Sequence, residues 1–175
     1  MRTRRIHITG ASGAGVTTLG HVLANTLAIP HHDTDDYFWQ PTTPPYTQKR
    51  EVSDRLRLMG EMFADRPDWV LSGSLDEWGG PVIALFDLVV FLYVPTDIRV
   101  QRLHEREARR GWVDEEFIEW ASHYDDGTRE GRNLPRHQRW LDSLTCPVLQ
   151  LEGTLPVAEL VDRVIGRIGN AATAT

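Results

Sequence analysis

The segment Gly10-Ala-Ser-Gly-Ala-Gly-Val-Thr-Thr18 constrains this chain more than any other. It stands between an apolar run, Arg5–Thr9, and a segment with helical spacing of Leu19, Val22, Leu23 and Leu27. A glycine-rich turn from strand to helix lets successive backbone N–H groups point into one concavity, with the positive end of the helix dipole behind them. Gly10, Gly15 and Thr17 match the spacing Gly-x-x-x-x-Gly-Lys-Ser/Thr, with Val16 where lysine belongs. On this reading Gly10, Ser12, Gly13, Ala14, Gly15, Val16, Thr17 and Thr18 cradle phosphates, and the Thr17 hydroxyl ligates Mg²⁺. Loss of a charged hydrogen bond at position 16 weakens binding by about 10–100-fold and harms chemistry more. The bland alternative is a strand-to-helix turn that holds nothing.

Thr9-Gly-Ala-Ser-Gly13 also resembles the opening of NAD(P)-binding short-chain dehydrogenases. Ala14 and Val16 break that family's glycine patterns, and its Tyr-x-x-x-Lys pair is missing, since Tyr46 stands three residues before Lys49.

Past the loop, apolar segments alternate with helical patterns, which predicts βαβ units and a parallel sheet. Strands are predicted at Arg5–Thr9, Ala28–His32, Trp69–Ser72, Leu88–Val94 and Val148–Leu151. Helices are predicted at Thr18–Leu27, Glu51–Phe63, Thr96–Arg110, Asp114–His123, Leu134–Leu144 and Pro156–Ile168, with the tail Asn170–Thr175 frayed. Leu88–Val94 is almost wholly apolar, as a strand covered on both faces should be. The 175 residues favour one domain, 1–175.

A net charge of −6 argues against a nucleic-acid binder. The cations are almost all arginine, with Lys49 the sole lysine, and half of the arginines fall between Arg99 and Arg139. That concentration within an acidic chain points to an anion site, because the guanidinium fork fits phosphate oxygens. The lone Cys146 cannot pair internally, and no stretch approaches the ~20 apolar residues of a membrane span. The expectation is a cytoplasmic protein, monomer or homodimer, that contacts neither nucleic acid nor membrane.

These features together resemble the adenylate kinase/shikimate kinase branch of P-loop phosphotransferases. Within it the chain is similar to kinase-like proteins whose loop reads Gly-Ala-Ser-Gly-x-Gly-x-Thr-Thr-Leu-Gly without lysine, as Gly10–Gly20 does here. The resemblance implies a three-layer α/β fold, a five-stranded parallel sheet in order 2-3-1-4-5, and a small lid over roughly 107–132. It implies ATP or GTP with Mg²⁺, and phosphoryl transfer to a small-molecule or nucleotide acceptor.

By that likeness Asp33 assists the metal beside Thr17, and Asp35 binds or orients the acceptor hydroxyl. The alternative is that these aspartates cap the following helix. Arg102 and Arg106 match the Arg-x-x-x-Arg at the base of such lids and would act in catalysis, partly replacing the missing lysine charge. Arg99, Arg102 and Arg106 recur on one helix face, where Glu105 and Glu107 offer ordinary surface ion pairs instead. Arg132, returning from the lid, would contact the nucleotide. Gly73, Ser74 and Asp76, after the third predicted strand, would meet the acceptor, with Trp78 nearby and Phe38 and Trp39 beside the acids. The competing class is a degenerate kinase that binds nucleotide without turnover.

Overall fold

The computed structural model describes residues 4–75 and 78–173. Five parallel strands form one sheet: β1 (Arg5–Gly10), β2 (His31–Asp33), β3 (Trp69–Ser72), β4 (Leu88–Tyr93) and β5 (Val148–Glu152). Their order is β2-β3-β1-β4-β5, as expected. It sets aside the dinucleotide-binding alternative, in which the second strand, not the third, lies beside the first.

Eight helices occur among the described residues: α1 (Val16–Leu27), α2 (Thr34–Phe38), α3 (Val52–Phe63), α4 (Gly80–Ile83), α5 (Thr96–Arg110), α6 (Glu115–Ser122), α7 (Leu134–Asp142) and α8 (Val157–Thr173). Alternation along β4 explains the three layers. Leu88, Val90 and Leu92 face α1 and α8 through Leu19, Leu23, Leu160 and Val164. Val89 and Phe91 point the other way, toward Met59 and Phe63 of α3, Val82 of α4 and Leu141 of α7. A third, smaller cluster joins Leu103 of α5 to Ile118 and Ala121 of α6.

Several boundaries differ from the sequence reading. Ala28 does not enter a strand. It adopts φ 54° and its N–H closes α1 on Ala24 and Asn25, so β2 begins only at His31. The short helices α2 and α4 are too brief to show a period. No side chain caps the start of α5, and the Thr96 hydroxyl reaches Asp125 at 2.8 Å. Helix α8 runs beyond Ile168 to Thr173, past the start of the predicted frayed tail. Gly111, at φ 89°, ends α5 after Arg110. No helix among the described residues is long and apolar enough to cross a membrane.

All four strand pairings are parallel, so every strand ends at the same edge of the sheet. Asp33 stands opposite Ser72, and Ser72 opposite Ile8. This register brings the glycine-rich loop, the acids after β2 and the Gly73 turn after β3 to one rim, the usual ligand edge of a parallel sheet.

Candidate active site

The loop is shaped by its glycines. Gly13 and Gly15 hold φ values of 82° and 94°, which side chains other than hydrogen resist. A methyl on Gly10 would stand 2.5 Å from the Leu92 carbonyl oxygen, so the chain crosses β4 too closely for any other residue. Inside the loop the Ala14 N–H donates to the Ala11 carbonyl at 3.0 Å. The amides of Gly13, Gly15, Val16, Thr17 and Thr18 meet no acceptor among the described residues, and no side chain caps α1. A helix N-terminus with unpaired donors and an aligned dipole is a ready anion site.

Val16 does not point its bulk at that hollow alone. It packs against the core beneath α1, and with Ala14 it is one of two side chains that a methyl on Gly10 would touch at 3.3 Å. Thr17 and Thr18 are exposed beside the loop. The Thr17 hydroxyl donates to the Asp33 carboxylate at 2.8 Å. A hydroxyl and a carboxylate side by side at a phosphate cradle form the hard oxygen set that Mg²⁺ prefers, so these residues fit that ion.

Asp33 also accepts from the Asp35 N–H at 3.0 Å, so it caps α2 while facing Thr17. The capping reading of the sequence holds for this residue. Desolvation pushes the Asp35 carboxyl above the ordinary carboxylate range, and the Asp33 charge pushes it further, against the opposing pull of Arg132. Asp35 reaches solvent yet sits among crowding groups. Asp36, raised by burial and by Asp33, extends the cluster. A carboxyl so tuned can take a proton from an attacking hydroxyl.

The arginines divide sharply. Arg99 is fully buried and serves the scaffold, contrary to the expectation of one shared arginine face. Its guanidinium donates to the carbonyls of Val94 and Ala121, to Thr96 and to Asp125. Arg102 lies against the loop and reaches the carbonyls of Ala14 at 3.4 Å and Gly153 at 3.3 Å. Arg106 pairs with Glu107 at 2.9 Å, the ordinary ion pair that the sequence allowed. Arg132 donates to the Ser12 hydroxyl at 3.0 Å, on the loop itself.

At the third rim position Gly73 takes φ 121°, and a side chain there would collide with the Thr34 hydroxyl. That hydroxyl accepts from the Ser74 N–H at 3.0 Å, locking the turn to α2. Asp76 lies outside the described residues. Trp78 belongs to a group the sequence reading missed. Arg55 of α3, only 6% exposed, lies 3.9 Å from the Phe38 ring and 5.2 Å from that of Trp78. Its Nε donates to the Arg50 carbonyl, and no carboxylate pairs with it among the described residues. A sequence clue existed: Arg55 falls one turn before Met59 and two before Phe63, on the inward face of α3. Phe38 lies one turn after Asp35, so Arg55 packs on a ring of the helix that carries the acids. Two cavities, of about 540 and 440 Å³, lie elsewhere and are not lined by the loop or the acids.

No family model matches the sequence. The chain is 42% identical over 173 residues to the uncharacterized protein YqaC of Bacillus subtilis (strain 168), covering 93% of this chain and 96% of that one. Among solved structures it resembles shikimate kinase from Acinetobacter baumannii in complex with shikimate, with TM-score 0.63 and 17% identity over 99% of this chain and 96% of that one. A gluconokinase from Sinorhizobium meliloti 1021 gives TM-score 0.63 and 18% identity over 98% and 95% of the two chains. Shikimate kinase from Bacteroides thetaiotaomicron gives 0.62 and 20% over 95% and 99%. At such identities the likeness is one of fold, and with sheet order and loop it is that of the adenylate/shikimate kinase type. The chain therefore belongs to the family of Bacillus subtilis YqaC, built on the P-loop kinase fold.

Proposed function

We propose that this protein transfers the terminal phosphoryl group of ATP or GTP to a hydroxyl of a small acceptor bearing a negative group. The observation that carries the reading is the row of unpaired amides at the start of α1, beside a Thr17–Asp33 contact of 2.8 Å. The amides of Gly13 and Gly15–Thr18 bind the phosphates, with Gly10 and Ala14 shaping the turn. Thr17 and Asp33 would hold Mg²⁺, which when bound neutralises charge on the phosphate oxygens.

Asp35 receives the proton of the acceptor hydroxyl as that oxygen forms its bond to the terminal phosphorus. The bond from that phosphorus to the bridging oxygen breaks, leaving the nucleoside diphosphate and the phosphorylated acceptor. Gly73 and Ser74 line the acceptor side. Arg55, buried against the Phe38 and Trp78 rings with no salt bridge among the described residues, is the group that favours an anionic acceptor. Arg102 covers the nucleotide beside the loop, and Arg106 joins it only by leaving Glu107. Residues 107–132 act as the lid of a single domain, closing over the phosphates.

One observation favours a second reading. Val16 is committed to core packing where lysine would meet the outer phosphates, which suits a nucleotide-binding protein without turnover. Calorimetric titration with ATP·Mg²⁺, then a diphosphate-release screen over hydroxylated carboxylates and phosphates, separates the two. Binding with turnover on one of these acceptors is the expected result. Binding without turnover on any acceptor selects the second reading, and no binding at all sinks both.

A further inference from the structure

Trp69 opens β3 and is fully buried, stacked on Phe63 of α3 at 4.4 Å and edge-on to Phe86 at 6.0 Å. Its indole N–H is enclosed and meets no acceptor among the described residues. An indole nitrogen only donates, and an enclosed donor without an acceptor is costly and rare in a folded chain. The same residue lines the cavity of about 540 Å³, a volume within the range of small-molecule sites.

That cavity stands apart from the glycine-rich loop. Trp69 pairs with Arg5, the first residue of β1, so the cavity flanks the strand starts, opposite the rim that gathers the loop and the acids. Leu56, Val82 and Leu85 add apolar walls beside Phe63 and Trp69. Gly60 completes the α3 side. A methyl there would meet nothing within 4 Å, so no packing demand accounts for a glycine inside this helix. Glycine weakens a helix interior relative to alanine, and what it contributes here is space.

The charges around the cavity sort its possible occupants. Arg5 is held by Asp87 at 3.2 Å, and Asp65 and Arg66 are exposed, one of each sign. A carboxylate buried beside Trp69 would therefore lack a cation of its own. A water molecule there needs two to four polar partners, whereas the rings packed on the indole are apolar. A neutral carbonyl oxygen on an apolar body needs only the one donor.

We propose that this cavity binds a small, largely apolar carbonyl compound, such as a ketone, ester or amide, whose oxygen accepts the Trp69 N–H. The site is separate from the phosphoryl-transfer rim and does not depend on that reading. Acetophenone and ethylbenzene, which differ by that oxygen, are titrated into the full chain and followed through the indole N–H resonances. The Trp69 signal is assigned by its loss in Trp69→Phe, which keeps a flat ring. Acetophenone is expected to move that signal downfield and to bind about 5–10-fold tighter than ethylbenzene. In Trp69→Phe the preference is expected to fall to about twofold or less. Gly60→Leu puts a side chain into the cavity wall from a helix that accepts leucine well, and carries the test if Trp69→Phe fails to fold. It is expected to weaken both compounds by at least about tenfold. Equal affinities for the two compounds in the wild type overturn the proposal, as does an unchanged preference in Trp69→Phe or undiminished binding to Gly60→Leu. So does a chain that takes up no acetophenone, including one that sedimentation shows to be a dimer dissociated by Gly60→Leu, where a second copy covers the cavity.

Discussion

The Thr9 hydroxyl and Nε2 of His137 lie 3.1 Å apart in the buried interior, joining the residue before the glycine-rich loop to helix α7. The same imidazole meets the Tyr124 hydroxyl through Nδ1 at 2.7 Å. Tyr124 in turn accepts the Leu134 N–H on its carbonyl at 2.7 Å. This chain of contacts ties both ends of the segment carrying Arg132 to the end of β1. His137→Ala leaves buried polar groups unmatched and is expected to cost about 1–3 kcal/mol, read from the urea midpoint. It should also raise the KM for nucleotide more than it changes kcat, since Arg132 loses its footing. Unchanged nucleotide KM in a folded variant would detach the network from the site.

Asp35 makes a pH prediction. Its carboxyl is raised, so as pH falls the active, ionised form is lost at a higher pH than for an ordinary carboxylate. Arg132 opposes the shift; removing its charge in Arg132→Gln must raise the Asp35 value further. The acid limb of kcat/KM is therefore expected to move to higher pH in that variant. A limb that stays in place would deny Asp35 the role of base.

The same crowding of acids has a stability consequence. Asp33, Asp35 and Asp36 repel one another at the start of α2. Asp35→Asn relieves part of that repulsion and is expected to raise Tm at pH 7 while removing turnover, the trade expected of a functional site. A lower Tm would mean that Asp35 supports the fold instead.

His31 supplies a separate acid sensitivity. Burial, chiefly, and the neighbouring His21 hold its imidazole down at about 4, against 6.5 ordinarily, while Nε2 contacts the Ser72 hydroxyl at 2.6 Å. The unfolded chain therefore binds this proton first as pH falls. The stability associated with neutral His31 is complete above about 6.5 and is lost progressively down to about 4. Urea midpoints measured from pH 7.5 to 4.5 should decline more steeply for the wild type than for His31→Gln. Parallel declines would remove His31 as the cause.

Gly73 offers a test of the acceptor turn. At φ 121° and against Thr34, an alanine is strained in backbone and collides in side chain. Gly73→Ala should cost about 1–3 kcal/mol by thermal unfolding and weaken acceptor binding more than nucleotide binding. Equal effects on both ligands would place the acceptor elsewhere.

Much of this was legible in the residues alone. The loop Gly10–Thr18 could be recognised because its demands are local: positive φ at Gly13 and Gly15 and a helix starting at once afterwards. The sheet order came from the resemblance that this loop anchors, and the apolar run of β4 announced a strand covered on both faces. The cap at Asp33 was legible because a short carboxylate ahead of a helix finds its first free amides locally.

What escaped depended on contacts far apart in the chain. Arg99, Arg102 and Arg106 of α5 are alike in spacing, and only packing made Arg99 a buried strut, set Arg106 on Glu107 and leaned Arg102 on the loop. Arg132 lies 120 positions from Ser12; nothing short of the folded chain shows that they touch. Arg55 reads as one more helical charge until Phe38 and Trp78 close on it. Sequence thus determined the elements and the cradle, where neighbouring residues set the backbone. Tertiary structure decided which charges remained available, because a cation's use is set by the partners that folding brings to it.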